Sequence, residues 1–265
     1  MLILQMELEI LGSGTSHGVP VIGCDCAVCT SRDPRDNRMR ASAVIRHTDG
    51  RTILIDAGPE FRIQALRSHI SRLDAVLITH SHADHIHGID DLRIFSHKTD
   101  MPIYADAVCL NDIHDRFSYV FSESQEGGGK PHLKLCEVIH GQAIQIAGTD
   151  VLPVLVFHGG LPITGWRIGD TAYITDCSEI PDASVSQLRG IKNLIIDAIR
   201  ERPHSTHFNF SQALEQIERI GPERAWFTHI THDFSHTGIQ EWLQIHAPGK
   251  KIEPAWDGLI IPVHE

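Results

Sequence analysis

Short apolar or β-branched runs, separated by turn residues, recur along the chain. We interpret as strands the runs LEILGSG, SAVIRH, TILIDAG, DAVLITH, VLPVLVFH, ITGWRIG, TAYITD, NLIIDAI and AWFTHI. Two stretches have the apolar spacing of a helix: PEFRIQALRSHI, with Pro59 in its first turn, and FSQALEQIERIG, which ends at Gly221. Many strands with fewer helices predict an α/β fold in which two sheets pack face to face with helices outside.

The chain has 265 residues, of which 42% are hydrophobic, and we predict one domain over residues 1–265. The SESQEGGGKPH stretch, residues 122–132, has the composition of a flexible surface loop, and no internal repeat is visible. No apolar run approaches the roughly 20 residues that cross a bilayer. The opening MLILQMELEI also lacks the basic and then apolar order of a secretion signal, so we expect a cytoplasmic location and no membrane partner.

Charge and residue usage narrow the function further. The formal net charge of -11 disfavours a nucleic-acid partner, because binding along a phosphate backbone needs a basic face. The chain contains 19 histidines, several of them beside aspartates in short motifs, which suits metal ligands. Six cysteines in a chain of this length do not make a disulfide scaffold. These features favour a metal-binding protein that acts on a small ligand.

The segment AVLITHSHADHIHG places four potential ligands at the end of a predicted strand. His80 and His82 are two residues apart, so they point the same way in an extended segment. Asp84 and His85 follow where a helix begins and can turn toward a second centre. Two metals can thus share this run, although each needs further ligands from other loops.

The same run resembles the THxHxDHxxG signature of the metallo-β-lactamase superfamily. The resemblance implies an αβ/βα sandwich, with two mixed sheets flanked by helices and a two-metal site along one edge. It implies that Asp56 supports the site without binding a metal. The implied ligands are His80, His82 and His158 for the first metal, Asp84, His85 and His229 for the second, and Asp176 as a bridge between them. Zn²⁺ or Mn²⁺ suits these donors.

A bridging aspartate at position 176 distinguishes members of this superfamily. It is typical of phosphodiesterases and glyoxalase-type thioesterases, whereas the members that hydrolyse antibiotics lack it. The resemblance therefore predicts a hydrolase in which a hydroxide shared by two metals attacks the substrate.

The cysteines of GCDCAVC predict a second kind of metal site. Cys24, Cys26 and Cys29 offer three thiolates, and a closed tetrahedral Zn²⁺ site needs a fourth ligand. His232, three residues after His229, is the candidate. Three reduced cysteines in a loop are the alternative.

The opening LGSGTSHGVPVIGCDCAVC and the late THITHD extend the resemblance to the PhnP family of phosphoribosyl 1,2-cyclic phosphate phosphodiesterases, over nearly the whole chain. In that family a histidine before the penultimate helix acts on the leaving oxygen. His207 matches it, with His204 as the competing candidate. We therefore predict Asp84 and His207 as catalytic residues. The GSGTSHG loop lacks a P-loop lysine and predicts a tight turn, with His17 near the pocket entrance.

The predicted function is metal-dependent hydrolysis of a small, cyclic phosphodiester, and we expect a homodimer as in relatives. Three alternatives stay open: a tRNA 3′-processing ribonuclease, a glyoxalase-type thioesterase and a non-catalytic accessory protein resembling PqqB. The acidic charge counts against the ribonuclease, and the seven predicted active-site ligands count against the accessory protein.

Overall fold

The computed structural model describes residues 6–122 and 129–264. The strands in this part of the chain are β1 Met6–Gly12, β2 Ser42–His47, β3 Thr52–Ile55, β4 Ala75–Leu77, β5 Met101–Ala105, β6 Leu133–Glu137, β7 Ile144–Ile146, β8 Thr149–His158, β9 Leu161–Ile168, β10 Thr171–Ile174, β11 Asn193–Asp197, β12 Arg224–Thr228, β13 Ile252–Pro254 and β14 Ile260–Val263. The helices are α1 Phe61–Arg67, α2 Ala83–Ile86, α3 Ala107–Arg116, α4 Ser118–Phe121, α5 Asp182–Leu188, α6 Phe210–Ile220 and α7 His236–His246, with 3-10 turns at Pro34–Asp36 and Ile89–Ile94. None of the helices in the described ranges is long and apolar enough to cross a membrane.

The strands form two mixed sheets of seven strands each. The first has the order β14-β1-β2-β3-β4-β5-β6 and the second β13-β12-β11-β10-β9-β8-β7. From β14 to β3 the first sheet is antiparallel, and from β3 to β6 it is parallel. The second sheet is likewise antiparallel from β7 to β10 and parallel from β10 to β13. The two sheets thus share one arrangement, antiparallel at one end and parallel at the other, although no repeat is visible in the sequence.

Three hydrophobic cores define the layers. The central core lies between the sheets and contains side chains such as Ile53, Trp166 and Tyr173. The alternate residues of the same strands, such as Leu54, face the other way and pack with α1 and α3. The third core joins the second sheet to α5, α6 and α7. The predicted sandwich of two mixed sheets between helices is confirmed.

Each predicted strand run corresponds to an observed strand, but β5, β6, β7, β13 and β14 were not predicted. These are runs of at most five residues whose pairing comes from neighbouring strands. The first predicted helix differs from the observed helix α1. Helix α1 begins at Phe61 after the N-cap Glu60, so Pro59 lies outside its first turn. Residues 123–128 of the predicted surface loop lie outside the described residues.

Candidate metal centre

The candidate site lies at one edge of the two sheets, where the parallel strands end. The carboxyl ends of parallel strands lie at the same edge of a sheet, so polar residues that follow different strands come together there. The residues placed in this way are Asp56 after β3, His80 after β4, Asp176 after β10, Asp197 at the end of β11 and His229 after β12, joined by His158 at the end of β8.

Three of these residues have a left-handed backbone, which non-glycine residues adopt infrequently. The φ angles are 60° at Asp56, 54° at Asp176 and 59° at His229. Each residue lies one or two positions after its strand, where the chain turns sharply. Strained conformations of this kind are concentrated at functional sites, where the surrounding structure holds them.

Two glycines allow the loops of the site to approach one another. A Cβ atom at Gly88 would lie 2.1 Å from the Gly58 carbonyl oxygen, and one at Gly58 would lie 2.1 Å from the Asp84 carbonyl oxygen. The backbone of Gly88 also donates to Ala57 O at 2.7 Å. The glycine that ends the THSHADHIHG run is therefore required by the close contact of α2 with the Asp56 loop.

The rings of His80, His82 and His158, the predicted ligands of a first metal, lie near one another. The ring centroids lie 4.5 Å apart for His80 and His82, 5.2 Å for His82 and His158, and 5.7 Å for His80 and His158. The Nδ1 atom of His80 lies 3.1 Å from Thr79 Oγ1, and that of His158 lies 2.8 Å from Thr206 O. Both rings can therefore donate through Nδ1 and keep Nε2 for a metal.

Asp84, His85, Asp176 and His229 form the second cluster, in which potential ligand atoms lie within 4.8 Å of one another. His85 Nε2 lies 3.2 Å from an oxygen of Asp84 and 3.2 Å from Asp176 Oδ2. The other Asp176 oxygen lies 3.1 Å from His229 Nε2. Asp176 also has a ligand atom within 4.8 Å of that of His158, so it lies between the two clusters.

Asp56 fixes both His85 and the loop that carries His80. Its carboxylate accepts from Thr79 N at 2.8 Å, from Thr79 Oγ1 at 2.9 Å and from His85 Nδ1 at 2.8 Å. Burial raises the pKa of Asp56 even though these hydrogen bonds and the charge on His85 favour the carboxylate. Its role is to orient His85, because the Nδ1–H bond leaves Nε2 directed at Asp84 and Asp176.

The buried carboxylates and imidazoles of the second cluster shift one another's pKa values. Burial opposes ionisation of Asp176, but His229 and His85 outweigh it and hold the pKa of this carboxyl well below its usual range. Burial likewise disfavours the charged form of His85, yet Asp176, Asp56 and Asp84 raise its pKa well above the ordinary value. The Nε2 atom of His80 is buried without a hydrogen-bond partner, whereas those of His85 and His229 face carboxylate oxygens of Asp84 and Asp176. Imidazole nitrogens that converge with carboxylates in this way fit the donor set of Zn²⁺ or Mn²⁺.

His207 lies beside both clusters and is held by a residue that sequence reasoning missed. Its Nδ1 lies 2.9 Å from Asp197 Oδ2, and potential ligand atoms of His207, His158 and Asp176 lie within 4.8 Å of one another. Asp197 also accepts from Cys177 N at 2.8 Å. The available signal was its position at the end of NLIID, which matches that of Asp56 and Asp176 at the ends of their strands.

His204, the competing candidate, occupies an outer position. Its ring centroid lies 4.9 Å from that of His207, and its Nδ1 accepts from Thr206 N at 3.3 Å. Burial lowers the pKa of His204, and nearby His207 and Arg200 lower it further. His207 is the buried histidine with a carboxylate partner, and His204 lies beside it with Arg200.

The three cysteines and His232 form a separate cluster. His232 Nδ1 lies 3.3 Å from Cys24 Sγ, 3.5 Å from Cys26 Sγ and 3.3 Å from Cys29 Sγ. Zn–S bonds of about 2.3 Å and Zn–N bonds of about 2.0 to 2.1 Å place tetrahedral N and S ligands about 3.6 Å apart. The backbone N–H of Cys29 lowers the pKa of Cys26 to about 6, whereas burial raises the pKa of Cys29 to about 11. The arrangement fits a closed structural zinc site.

One buried arginine joins this cluster to the candidate metal centre. The Arg38 guanidinium donates to Thr231 O at 2.7 Å and to Phe234 O at 3.1 Å, and it pairs with Asp36 at 2.9 Å. Thr231 lies between His229 and His232. The Arg38 side chain therefore holds the turn that carries His229 and His232, the predicted ligands for the two kinds of site.

The GSGTSHG loop makes a turn at Thr15–Gly18, as predicted, and His17 is exposed.

This fold and this set of side chains define a metal-dependent hydrolase, and comparison with known proteins gives the family. A family model for the beta-lactamase superfamily domain matches residues 51–230. The crystal structure of a diphosphatase from the PhnP family is 40% identical, with a TM-score of 0.88 and 99% of each chain covered. The chain therefore belongs to the PhnP family of the metallo-β-lactamase superfamily, and the resemblance in the sequence is confirmed.

Two further relatives are informative. The octanoyltransferase of Porphyromonas gingivalis is 41% identical over 256 residues, which make up 96% of this chain and 51% of that protein. The chain thus spans about half the length of this curated relative. Zn²⁺-bound PqqB from Methylobacterium extorquens is 18% identical, with a TM-score of 0.79 and coverage of 96% of this chain and 99% of that chain. At this identity it shows the shared fold alone.

Proposed function

We propose that the chain hydrolyses a small phosphodiester, a cyclic one in particular, at a centre of two divalent metals. His80, His82 and His158 would hold the first metal, and Asp84, His85 and His229 the second, with Asp176 shared. The observation that carries the proposal is the position of Asp176, whose oxygens lie 3.2 Å from His85 and 3.1 Å from His229 and within 4.8 Å of the His158 ligand atom.

The chain's own residues supply the proton and the orientation. Two divalent cations, when bound, lower the pKa of water and offset charge on phosphoryl oxygens. His207, paired with Asp197, is the general acid that gives a proton to the departing alkoxide. The Arg200 guanidinium, which lies near His204, adds a positive charge to this side of the site. Such an environment favours a substrate whose leaving group carries an anion.

A diphosphate linkage is the second candidate substrate. The PhnP-family relative with 40% identity over 99% of this chain is a diphosphatase. Cleavage of a P–O–P bond needs the same attack at phosphorus, and its leaving group is a phosphate instead of an alkoxide. The positive charge of Arg200, near His204, suits that leaving group as well.

The name of the Porphyromonas gingivalis relative raises the question of acyl transfer. Burial raises the pKa of the Cys177 thiol well above its ordinary value, and it raises the pKa of the Cys109 thiol as well. Neither thiol is therefore a ready nucleophile. Because the chain matches about half of that protein, we infer that the octanoyl chemistry belongs to the other half.

The first experiment combines metal analysis with substrate comparison. Metal content is measured by mass spectrometry, and hydrolysis is assayed with and without added Mn²⁺ on bis(p-nitrophenyl) phosphate, a ribose 1,2-cyclic phosphate, a nucleoside diphosphate ester, a thioester and a tRNA precursor. We expect about three metals per chain, from two catalytic ions and one in the cysteine cluster, and turnover of the cyclic ester. Turnover of the thioester or the tRNA precursor alone would overturn the proposal. Bound metal without any turnover would favour an accessory protein.

The oligomeric state and the partners stay predictions. We expect a homodimer, and the net charge of -11 favours a small substrate over nucleic acid. Size-exclusion chromatography with light scattering tests the first expectation.

A further inference from the structure

Among the three imidazoles assigned to the first metal, His82 is held differently from the other two. Thr79 Oγ1 lies 3.1 Å from His80 Nδ1, and Thr206 O lies 2.8 Å from His158 Nδ1. His80 is buried, whereas His82 is exposed, and the described residues provide no hydrogen bond to its ring. The position of His82 must therefore come from its backbone and from a bound metal.

That backbone is fixed through Ser81. His82 has an extended conformation, with φ −64° and ψ 154°, and precedes α2 as its N-cap. Side chains alternate in extended backbone, so Ser81 points away from the site, between the two histidines. Its side chain is buried with 8% exposure, and it faces α3.

Two residues of α3, one helical turn apart, bind both polar groups of Ser81. The Ser81 hydroxyl donates to Asp112 Oδ2, and the Arg116 guanidinium donates to the Ser81 carbonyl oxygen. Arg116 and Asp112 also lie 3.6 Å apart as an i,i+4 pair. Helix α3 itself is anchored by Asp106, which follows β5 and accepts from Cys109 N at 2.9 Å.

We propose that Asp112 and Arg116 are positioning residues for His82, and through it for the first metal. The proposal rests on the metal assignment made above. Both side chains are about two-fifths exposed, and an exposed ion pair contributes little to stability. Their contacts with Ser81 instead fix the backbone between the proposed ligands His80 and His82. Residues that orient metal ligands in this way typically alter metal affinity by about 10- to 100-fold when they are replaced.

The test compares three variants with the unaltered protein: Arg116→Met, Asp112→Asn and the control Arg93→Met. Arg93 pairs with Asp90 at 2.7 Å on the neighbouring 3-10 turn and has a similar exposure, but it does not contact Ser81. The measurements are metal retention against a chelator, by mass spectrometry, and the Mn²⁺ concentration for half-maximal hydrolysis of bis(p-nitrophenyl) phosphate.

We expect Arg116→Met to lose one metal per chain at lower chelator concentration and to need about 10- to 100-fold more Mn²⁺, with kcat restored at saturating metal. Asp112→Asn should show a smaller effect in the same direction, and Arg93→Met none. A structural role would instead lower the unfolding temperature and leave metal affinity unchanged, which overturns the proposal. If Arg116→Met does not fold, Asp112→Asn decides. Absence of active-site metal in the unaltered protein would overturn the proposed function itself, whereas equal retention in all variants would overturn the positioning role alone.

Discussion

Asp197 Oδ2 lies 2.9 Å from His207 Nδ1, and both side chains are buried at the edge of the second sheet. The same carboxylate has its other oxygen 3.8 Å from His229 Nδ1. Asp197 therefore lies beside the Nδ1 atoms of two imidazoles with different proposed roles: His207 as a general acid and His229 as a metal ligand. A carboxylate in this position fixes the ring orientation of a histidine and stabilises its charged form.

Replacement of Asp197 by Asn tests this relationship. The amide keeps an acceptor for Cys177 N but removes the negative charge beside His207. We expect kcat to fall by about 10²-fold or more, because the proton donor loses its stabilising partner. The fall in kcat should persist at saturating Mn²⁺, where a weaker metal affinity through His229 no longer contributes. A variant with normal kcat would show that His207 does not depend on Asp197.

His207→Ala distinguishes a proton donor from a metal ligand. We expect turnover of a substrate with a poor leaving group to fall by about 10²- to 10⁴-fold, and metal content to stay unchanged. Bis(p-nitrophenyl) phosphate should be less affected, because its leaving group needs little protonation. His204→Ala, which removes the neighbouring histidine in the same loop, is the matched control. Loss of a metal in His207→Ala would identify this histidine as a ligand, because it lies within 4.8 Å of His158 and Asp176.

His232→Ala tests the zinc assignment of the cysteine cluster. The variant leaves three thiolates without their nitrogen ligand, so we expect about one metal fewer per chain. Zinc that binds only the folded chain stabilises it by about 2.7 kcal/mol at 100 times its Kd, so the unfolding temperature should fall. His97→Ala, at an exposed position, serves as the control. Unchanged zinc content would contradict the assignment and favour three reduced cysteines in a loop.

His236 predicts a pH dependence of stability that is independent of the metal ligands. Burial, followed by the charges of Arg35 and Arg38, lowers its pKa to about 4 from the ordinary 6.5. The unfolded chain therefore takes up a proton first as the pH falls. The contribution of neutral His236 to stability is complete above about pH 6.5 and is lost as the pH falls toward 4.

Urea unfolding at pH 7 and pH 5 measures this effect. The unaltered protein should lose on the order of 1 kcal/mol more than His236→Gln between these two pH values, with allowance for screening by solvent. His97→Gln is the control and should behave as the unaltered protein. An equal loss in all three proteins would rule out His236 as the source.

Local sequence sufficed for the parts of the site that lie within a few residues of one another. The run from His80 to His85 follows a short strand, and both its extended start and its helical end were predicted from spacing. The CxCxxC spacing likewise placed three thiolates in one loop. The choice between His204 and His207 as the candidate proton donor was not settled in this way, because both precede the same helix and differ in sequence only by their neighbouring residues.

The sequence by itself determined the strand ends that carry polar residues, since alternation and turn residues are local properties. Only the tertiary structure decided which of these ends meet. Parallel pairing sets Ile174 opposite Ile196 and Asp197 opposite Thr228, which brings Asp176, Asp197 and His229 side by side. These two pairs join residues 22 and 31 positions apart through strand register, and α3 reaches Ser81 through packing on the first sheet. Neither kind of contact produces a periodic residue pattern in the sequence, because both depend on how distant elements pack together.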